Sequence, residues 1–459
     1  MHRDHVPSQR QIFTWIEEVF SHGVRRPGYD ADRWAERWIE EQFRAIGLER
    51  VRAEPVSMPS WTVEHASLTL IGEGESIEVP CFPLPLSAPV DGEFELAVFD
   101  RDHPDAVRGR AALFDAPLMR VPHRIMAGLA TWHYDPDGTF AEGAHILPFA
   151  REFQEVMEPV IDAGARAFIG TLTDYPGDSY QYYVPYDAKS RPIPGVWISG
   201  SSGARAREML ARGPVRAALH VRSTTTPITS PNIIGELPGA DDETVIIGSH
   251  HDGPWSSAVE DASGISLVLA QATYWSHVPR EERPHRLVFL LNAGHMAGGA
   301  GQAAFVATHR DELDRVVLEL HLEHAANEFV QRDGSLVATG EPEARWWFTS
   351  RIPALEAAVR AAIEAEDVKR SLIMPPEVFG PKPTTDAADF YPAGVPIVNY
   401  LAAPFHLFDA MDTLDKVHRP SLESVTRAAI RIVESTIGVS AATMRAGDLH
   451  REGAKDAKI

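Results

Sequence analysis

The chain has 459 residues, 44% of them hydrophobic and 24% charged, with a formal net charge of −22. That length exceeds one ordinary core, and the acidic balance argues against nucleic acid or an anionic membrane surface as a partner, because no basic stripe is present to release counterions. A single cysteine, Cys81, excludes an internal disulfide framework and a cysteine-based zinc site.

The N-terminal Met1-His2-Arg3-Asp4-His5 is polar, and no run of about 18 apolar residues follows, so a soluble cytoplasmic protein without a membrane span is expected. Residues 8 to 48 read as two helices. Trp15, Ile16, Val19 and Phe20 form one apolar face; Trp34, Trp38, Ile39, Phe43 and Ile46 form the other, with Gly47 as a stop. From Val51 to Val221 the pattern changes to short β-type runs broken by Pro and Gly, such as Leu68–Ile71, Phe94–Phe99 and Ala111–Phe114. One helix is expected there, Phe149 to Ala163, followed by a strand at Ala167–Gly170. His123, His133 and His145 read as surface residues, and Met119 to His145 is the natural lid if this region covers a cleft. Ser223 to Pro231 reads as an exposed connector, after which strands and helices alternate to about Ile437, the pattern of βαβ units and a mostly parallel sheet. The tail from Arg445 is charged and expected to be disordered.

The chemistry concentrates at the ends of the later apolar runs. Val245 to Ser249 reads as a buried strand that delivers His250-His251-Asp252, and Glu260-Asp261 opens an apolar helix. Subsequent runs end at His295, at Glu323 and shortly before His406. Nitrogen and carboxylate donors at the carboxyl ends of parallel strands are what a two-metal hydrolytic site requires. Alternation turns His251 away from His250. It also sets Glu319, His321 and Glu323 on one face with His324 on the other, so His321 competes with Glu323 as a ligand or serves as its partner. Asp386 and Asp389 read equally well as a substrate-side loop or as turn residues.

Taken in order, Asn232–Gly239, Val245–Asp252, Glu260–Gly264, Leu287–Gly301, Val316–Glu323, Thr385–Pro396 and His406–Val417 resemble the co-catalytic zinc aminopeptidases. That superfamily includes glutamate carboxypeptidase, glutaminyl cyclases and the transferrin receptor ectodomain. Asp162-Ala163-Gly164-Ala165 and Ile193-Pro194-Gly195-Val196 look like the protease-associated domain often inserted in these proteins. The resemblance implies an α/β fold, a mostly parallel sheet flanked by helices, with an inserted β-rich protease-associated-type domain. It divides the chain into N-terminal helices (1–58), the inserted domain (59–228), the metallopeptidase-like domain (229–440) and a disordered tail (441–459).

The resemblance further implies two divalent metal ions, zinc by precedent, with iron, manganese or cobalt as alternatives. His250 and Glu323 would hold one ion, His295 and His406 the other, with Glu260 bridging and Asp252 orienting His250. The sequence departs from the family at the third station. Relatives carry two consecutive glutamates, a general base and then a ligand, where this chain has Gly294 and His295. A proton shuttle must then come from His251, Asp261, His324, the non-bridging carboxylate or the substrate. The implied activity is that of a dinuclear metal-dependent hydrolase of aminopeptidase or amidohydrolase type. It would cleave an amide or related C–N bond of a small molecule or short peptide through a metal-bound hydroxide. A metal-dependent lyase or cyclising enzyme, and a non-catalytic relic of the fold, are the competing classes. A homo-oligomer is compatible with all of them.

Overall fold

The computed structural model describes residues 1–383 and 385–447. Ser8 caps helix α1 (Gln9–Ser21) by accepting from Gln11 N–H, and Ile12, Phe13, Trp15, Ile16 and Val19 are its buried face. Helix α2 (Asp30–Ile46) stops at Gly47, whose φ of 92° is the left-handed conformation that closes a helix.

The chain then enters β1 (Glu49–Gly72), which runs antiparallel to β2 (Arg216–Leu237) along nearly their whole lengths. Ser223 to Pro231, expected as an exposed connector, is therefore hydrogen-bonded strand. The prolines that suggest a break sit opposite one another, Pro55 with Pro231 and Pro59 with Pro227, and Thr224, Thr225, Thr226 and Thr229 of the segment suit a pleated surface.

One large sheet passes through β2. On one side lie Val90–Val98, Ala111–Asp115, Ala167–Leu172 and Gly195–Ser199, each parallel to the next. On the other lie β3 (Thr244–His250), β4 (Arg286–Asn292), β5 (Val316–Leu322), β6 (Arg345–Thr349), β7 (Ser371–Met374) and β8 (Ile397–Ala402), in the order β2-β4-β3-β5-β8-β6-β7. The central pairs β3–β4, β3–β5 and β5–β8 are parallel. Every residue of β3 is buried, as a strand covered by helices on both faces requires. Helix α3 (Ser263–Ser276) crosses the sheet so closely that a Cβ at Gly264 would lie 2.3 Å from Ser249 Oγ and 2.8 Å from the Leu322 carbonyl oxygen.

Three local expectations fail. In place of one helix over Phe149–Ala163, Ala144–Ala150 is a strand paired with Leu118–Pro122, and only Glu158–Asp162 is α-helical, started by Pro159. Ala441–Ala446 is a helix capped by Ser440 rather than disordered tail; the tail beyond residue 447 lies outside the described residues. His123 and His145 are buried, while His133 is exposed. His145 bonds Glu343 through Nδ1 at 3.1 Å and donates through Nε2 to the Ala403 carbonyl at 3.0 Å, tying the middle region to the segment after β8.

Candidate metal centre

The carboxyl ends of β3, β4 and β5 converge on one buried cluster. His250, the last residue of β3, donates from Nδ1 to the Asp252 carbonyl at 2.8 Å, which leaves Nε2 as a free lone pair. His295 follows β4 and places Nδ1 2.6 Å from Asp386 Oδ1. His324 lies just beyond β5 and donates from Nδ1 to the Ala402 carbonyl at 2.8 Å. Each imidazole is thus anchored on one nitrogen by an acceptor and presents the other, the tautomer and orientation that metal-bound histidines adopt.

Glu260 supplies the carboxylate between them. It sits in a π-helical turn, Ala258–Ala262, that precedes α3. Asp412 fixes this turn by accepting from the N–H groups of Val259 and Glu260 at 2.9–3.1 Å. Glu260 Oε1 lies 3.4 Å from His295 Nε2, and Oε2 lies 3.2 Å from His324 Nε2. Glu323 approaches from β5, with Oε2 3.8 Å from His324 Nε2 and Oε1 3.0 Å from His321 Nε2. His321 in turn bonds Glu319 at 3.0 Å, so it backs Glu323 in a Glu319–His321–Glu323 series.

Two overlapping sets of donors have the spacing of a metal site: His250, Glu260 and His295, and His250, Glu323 and Asp386, with ligand atoms within 4.8 Å of one another in each. The fit is supported by the buried atoms that lack hydrogen-bond partners. His250 Nε2, both Glu260 oxygens and His324 Nε2 are all among them. Buried polar atoms are normally satisfied, and a divalent cation would satisfy these together. Imidazole and carboxylate donors suit zinc, iron, manganese or cobalt.

Burial and close neighbours shift the protonation of these groups strongly. Burial raises the Glu260 carboxyl, but His324 and His295 outweigh it and hold it at about 2. Burial and the neighbouring His295 push His250 down to about 4. His295 is disfavoured as a cation by burial, yet Asp386 and Glu260 raise it well above the usual imidazole range. A bound metal would displace such protons.

The remaining candidates are placed as follows. His251 faces away, Nδ1 3.1 Å from Asp32 and Nε2 3.0 Å from the Pro231 carbonyl. Asp261 is engaged by Arg25, whose Nε donates to Oδ2 at 2.8 Å and whose Nη2 donates to Oδ1. The Asp252 carboxylate does not reach the His250 ring. It accepts from the N–H groups of His295 and Met296 at 2.9 and 2.7 Å and so positions the His295 turn, while the Asp252 backbone oxygen orients His250. His406, the expected fourth-strand ligand, is buried with both ring nitrogens unpartnered; it lies outside the two donor sets, Nδ1 3.9 Å from Asp412 Oδ1 and the Phe329 and Phe405 rings edge-on to it. His324, which also lies outside the two donor sets, brings a further imidazole to within 3.2 Å of Glu260 and 3.8 Å of Glu323. Strand alternation hid it, because β5 ends at Leu322 and the backbone at His324 turns into the left-handed region at φ 42°.

Gly294 adopts φ +70°, and a Cβ there would lie 2.8 Å from both Sδ and Cε of Met58. The position of the expected general base is therefore filled by a β1 side chain as well as lacking a carboxylate. Tyr186, from the middle region, stacks over His295 with ring centroids 5.3 Å apart.

Residues 232–433 match the sequence model of Peptidase family M28. Among solved structures, the chain is similar to a Peptidase M28 precursor from Shewanella amazonensis SB2B, at 20% identity over 92% of each chain and a TM-score of 0.71. It is also similar to the zinc aminopeptidase BSAP from Bacillus subtilis, at 17% identity over 93% of this chain and 95% of that one, TM-score 0.67. An aminopeptidase from Aneurinibacillus sp. strain AM-1 is 19% identical over 95% of this chain and 94% of that one, TM-score 0.63. No curated protein matches the sequence. An M28-type sequence unit at 232–433 is thus set in a chain that has the fold of these structures over nearly its whole length.

Proposed function

We propose that the chain is a metal-dependent hydrolase that cleaves an amide or related C–N bond of a small molecule or short peptide. The supporting observation is the convergence of three anchored imidazoles, His250, His295 and His324, with Glu260 and Glu323 in one buried, unsatisfied cluster. Divalent ions bound there would activate water and polarise the scissile carbonyl.

The chain's own residues narrow the proton chemistry. His251 and Asp261 are committed to Asp32 and Arg25, and Met58 fills the space beside Gly294. Asp386 and Glu323 remain inside the cluster. Asp386 is anchored to His295 through Oδ1 and, with Glu323, is a carboxylate that would take a proton from water inside the cluster. A carboxylate displaced from the family's usual position fits an altered substrate better than broad aminopeptidase action.

The test is elemental analysis of the purified protein followed by a screen of small amides, carbamates, hydrazides and dipeptides, with products identified by mass. Bound transition metal and cleavage of a C–N bond are expected, with weak turnover of dipeptides and aminoacyl-nitroanilides. A protein that takes up no metal, or that takes it up and hydrolyses nothing in the panel, overturns the reading.

A further inference from the structure

Arg26 is a buried cation without a carboxylate. Its side chain is caged by aromatic rings, the guanidinium carbon 4.5 Å from the Trp255 ring centre, 4.6 Å from Tyr183, 5.2 Å from Phe82 and 5.7 Å from Tyr29. Nε donates to the Pro254 carbonyl at 2.8 Å, which fixes the plane of the group, while Nη2 is buried with no partner. The residue is only 6% exposed. Its neighbour Arg25 shows the ordinary solution, a buried pairing with Asp261. Arg26 has no such ion pair among the described residues.

A second unsatisfied donor lies in the same place. Trp61, from β1, is 4% exposed and its indole N–H is also buried without a partner. Arg26 and Trp61 line one narrow cleft together with Tyr183, Tyr186, Leu86 and Met296. Two of these walls belong to the metal cluster's surroundings: Tyr186 stacks on His295, and Met296 follows His295 in the chain. The cleft therefore shares Tyr186 and the His295–Met296 segment with the metal cluster.

Burying a guanidinium costs several kcal/mol unless an anion or a full set of acceptors compensates it. Aromatic faces supply part of that compensation but leave two N–H donors unused. A ligand carboxylate satisfies both: it accepts from Arg26 Nη2 and from Trp61 Nε1, and its charge neutralises the buried cation. The free room is about 10 Å³, enough for one oxygen atom as the side chains stand, so the carboxylate enters through a single oxygen. We propose that this cleft is a substrate subsite for a carboxylate, so that the C–N bond cleaved at the metal cluster belongs to a carboxylate-bearing molecule. This rests on the hydrolase reading for the word substrate, but not for the binding site itself.

The experiment is calorimetric titration of the metal-loaded protein with N-benzoylglycine and with its neutral amide, N-benzoylglycinamide. It is repeated on Trp61→Phe, which keeps the ring and removes the donor, and on Arg26→Gln. The carboxylate should bind about tenfold or more tightly than the amide, since a hydrogen bond to a charged group is worth at least that factor. Trp61→Phe should weaken carboxylate binding severalfold with little effect on the amide, and Arg26→Gln should abolish the preference. If Arg26→Gln fails to fold, Trp61→Phe decides alone. Equal binding of the two probes, or a preference that survives both substitutions because the metal itself takes the carboxylate, overturns the subsite. Binding that depends on Trp61 and Arg26 in a protein that hydrolyses nothing supports the subsite while defeating the hydrolase reading.

Discussion

Two histidine–carboxylate clusters sit back to back at the end of β3. His250, Glu260 and His295 form one; His251, Asp32 and Glu36 form the other, and both have the residue types and spacing of a metal site. They differ in satisfaction. His251 uses both nitrogens, and although burial disfavours its charge, the Asp32 carboxylate raises it to about 9. His250 has one nitrogen anchored and the other unpartnered, and burial pushes it down to about 4. One is a closed ion pair that holds α2 against the end of β3; the other presents buried lone pairs that a cation would satisfy. Residue type alone does not distinguish them.

The sharpest way to break the comparison is to exchange their losses. His250→Ala should strip most of the bound metal on dialysis, and His324→Ala should do the same, while His251→Ala and His406→Ala should retain it. Elemental analysis checks all four. Metal retention by His250→Ala, or metal loss on substituting His406 but not His324, would show that the converging lone pairs have been misread. His251→Ala should instead lower stability by about 3–5 kcal/mol, because it leaves Asp32 buried and unpaired. Denaturant unfolding reads that value, and a neutral result would remove the structural role.

Which residues converge on the cluster was partly legible in the sequence. His250, Glu260, His295 and Glu323 stand at strand or turn ends whose apolar runs are plain in the sequence, and alternation correctly turned His251 away. What alternation could not show is what happens after a strand stops. His324 enters the cluster through a left-handed residue, and Asp386 reaches it from a loop joined to His295 only in three dimensions. The prolines of Ser223–Pro231 concealed a strand because the pairing that absorbs them comes from β1, far away in the chain. Arg26 was invisible for the same reason: a lone arginine carries no pattern until its cage is assembled.

Gly294 sharpens the contrast between a lost catalytic group and a rebuilt site. If the base were merely deleted, Gly294→Glu would restore peptidase turnover. The left-handed backbone and the Met58 side chain argue otherwise. Strain and overpacking together should cost roughly 2–5 kcal/mol, with no gain in dipeptide hydrolysis. Thermal unfolding and a dipeptide assay read the two halves separately. A stable, more active Gly294→Glu protein would mean that Met58 moves aside easily and that the ancestral chemistry is close at hand.

The smallest effect concerns a third histidine–carboxylate pair, His145 with Glu343, which resembles the closed cluster in having all of its imidazole nitrogens engaged. Burial raises the Glu343 carboxyl, but His145 outweighs it and holds it at about 2, against 4.5 when unperturbed. A folded-state value below the unfolded one means that the fold gains stability from the ionised form. That gain is complete above about pH 4.5 and is lost as the pH falls towards 2. Glu343→Gln should therefore be less stable than the parent at pH 6, by at most about 3 kcal/mol at 1.36 kcal/mol per unit. The two proteins should converge as the solution is acidified. Unfolding midpoints measured from pH 6 to pH 2.5 check this, and parallel curves would mean that the pair does not hold the middle region to the sheet. Because neither residue belongs to a donor set, the loss of the pair should leave metal content unchanged, which separates a fastening from a ligand by the same criterion that separates His251 from His250.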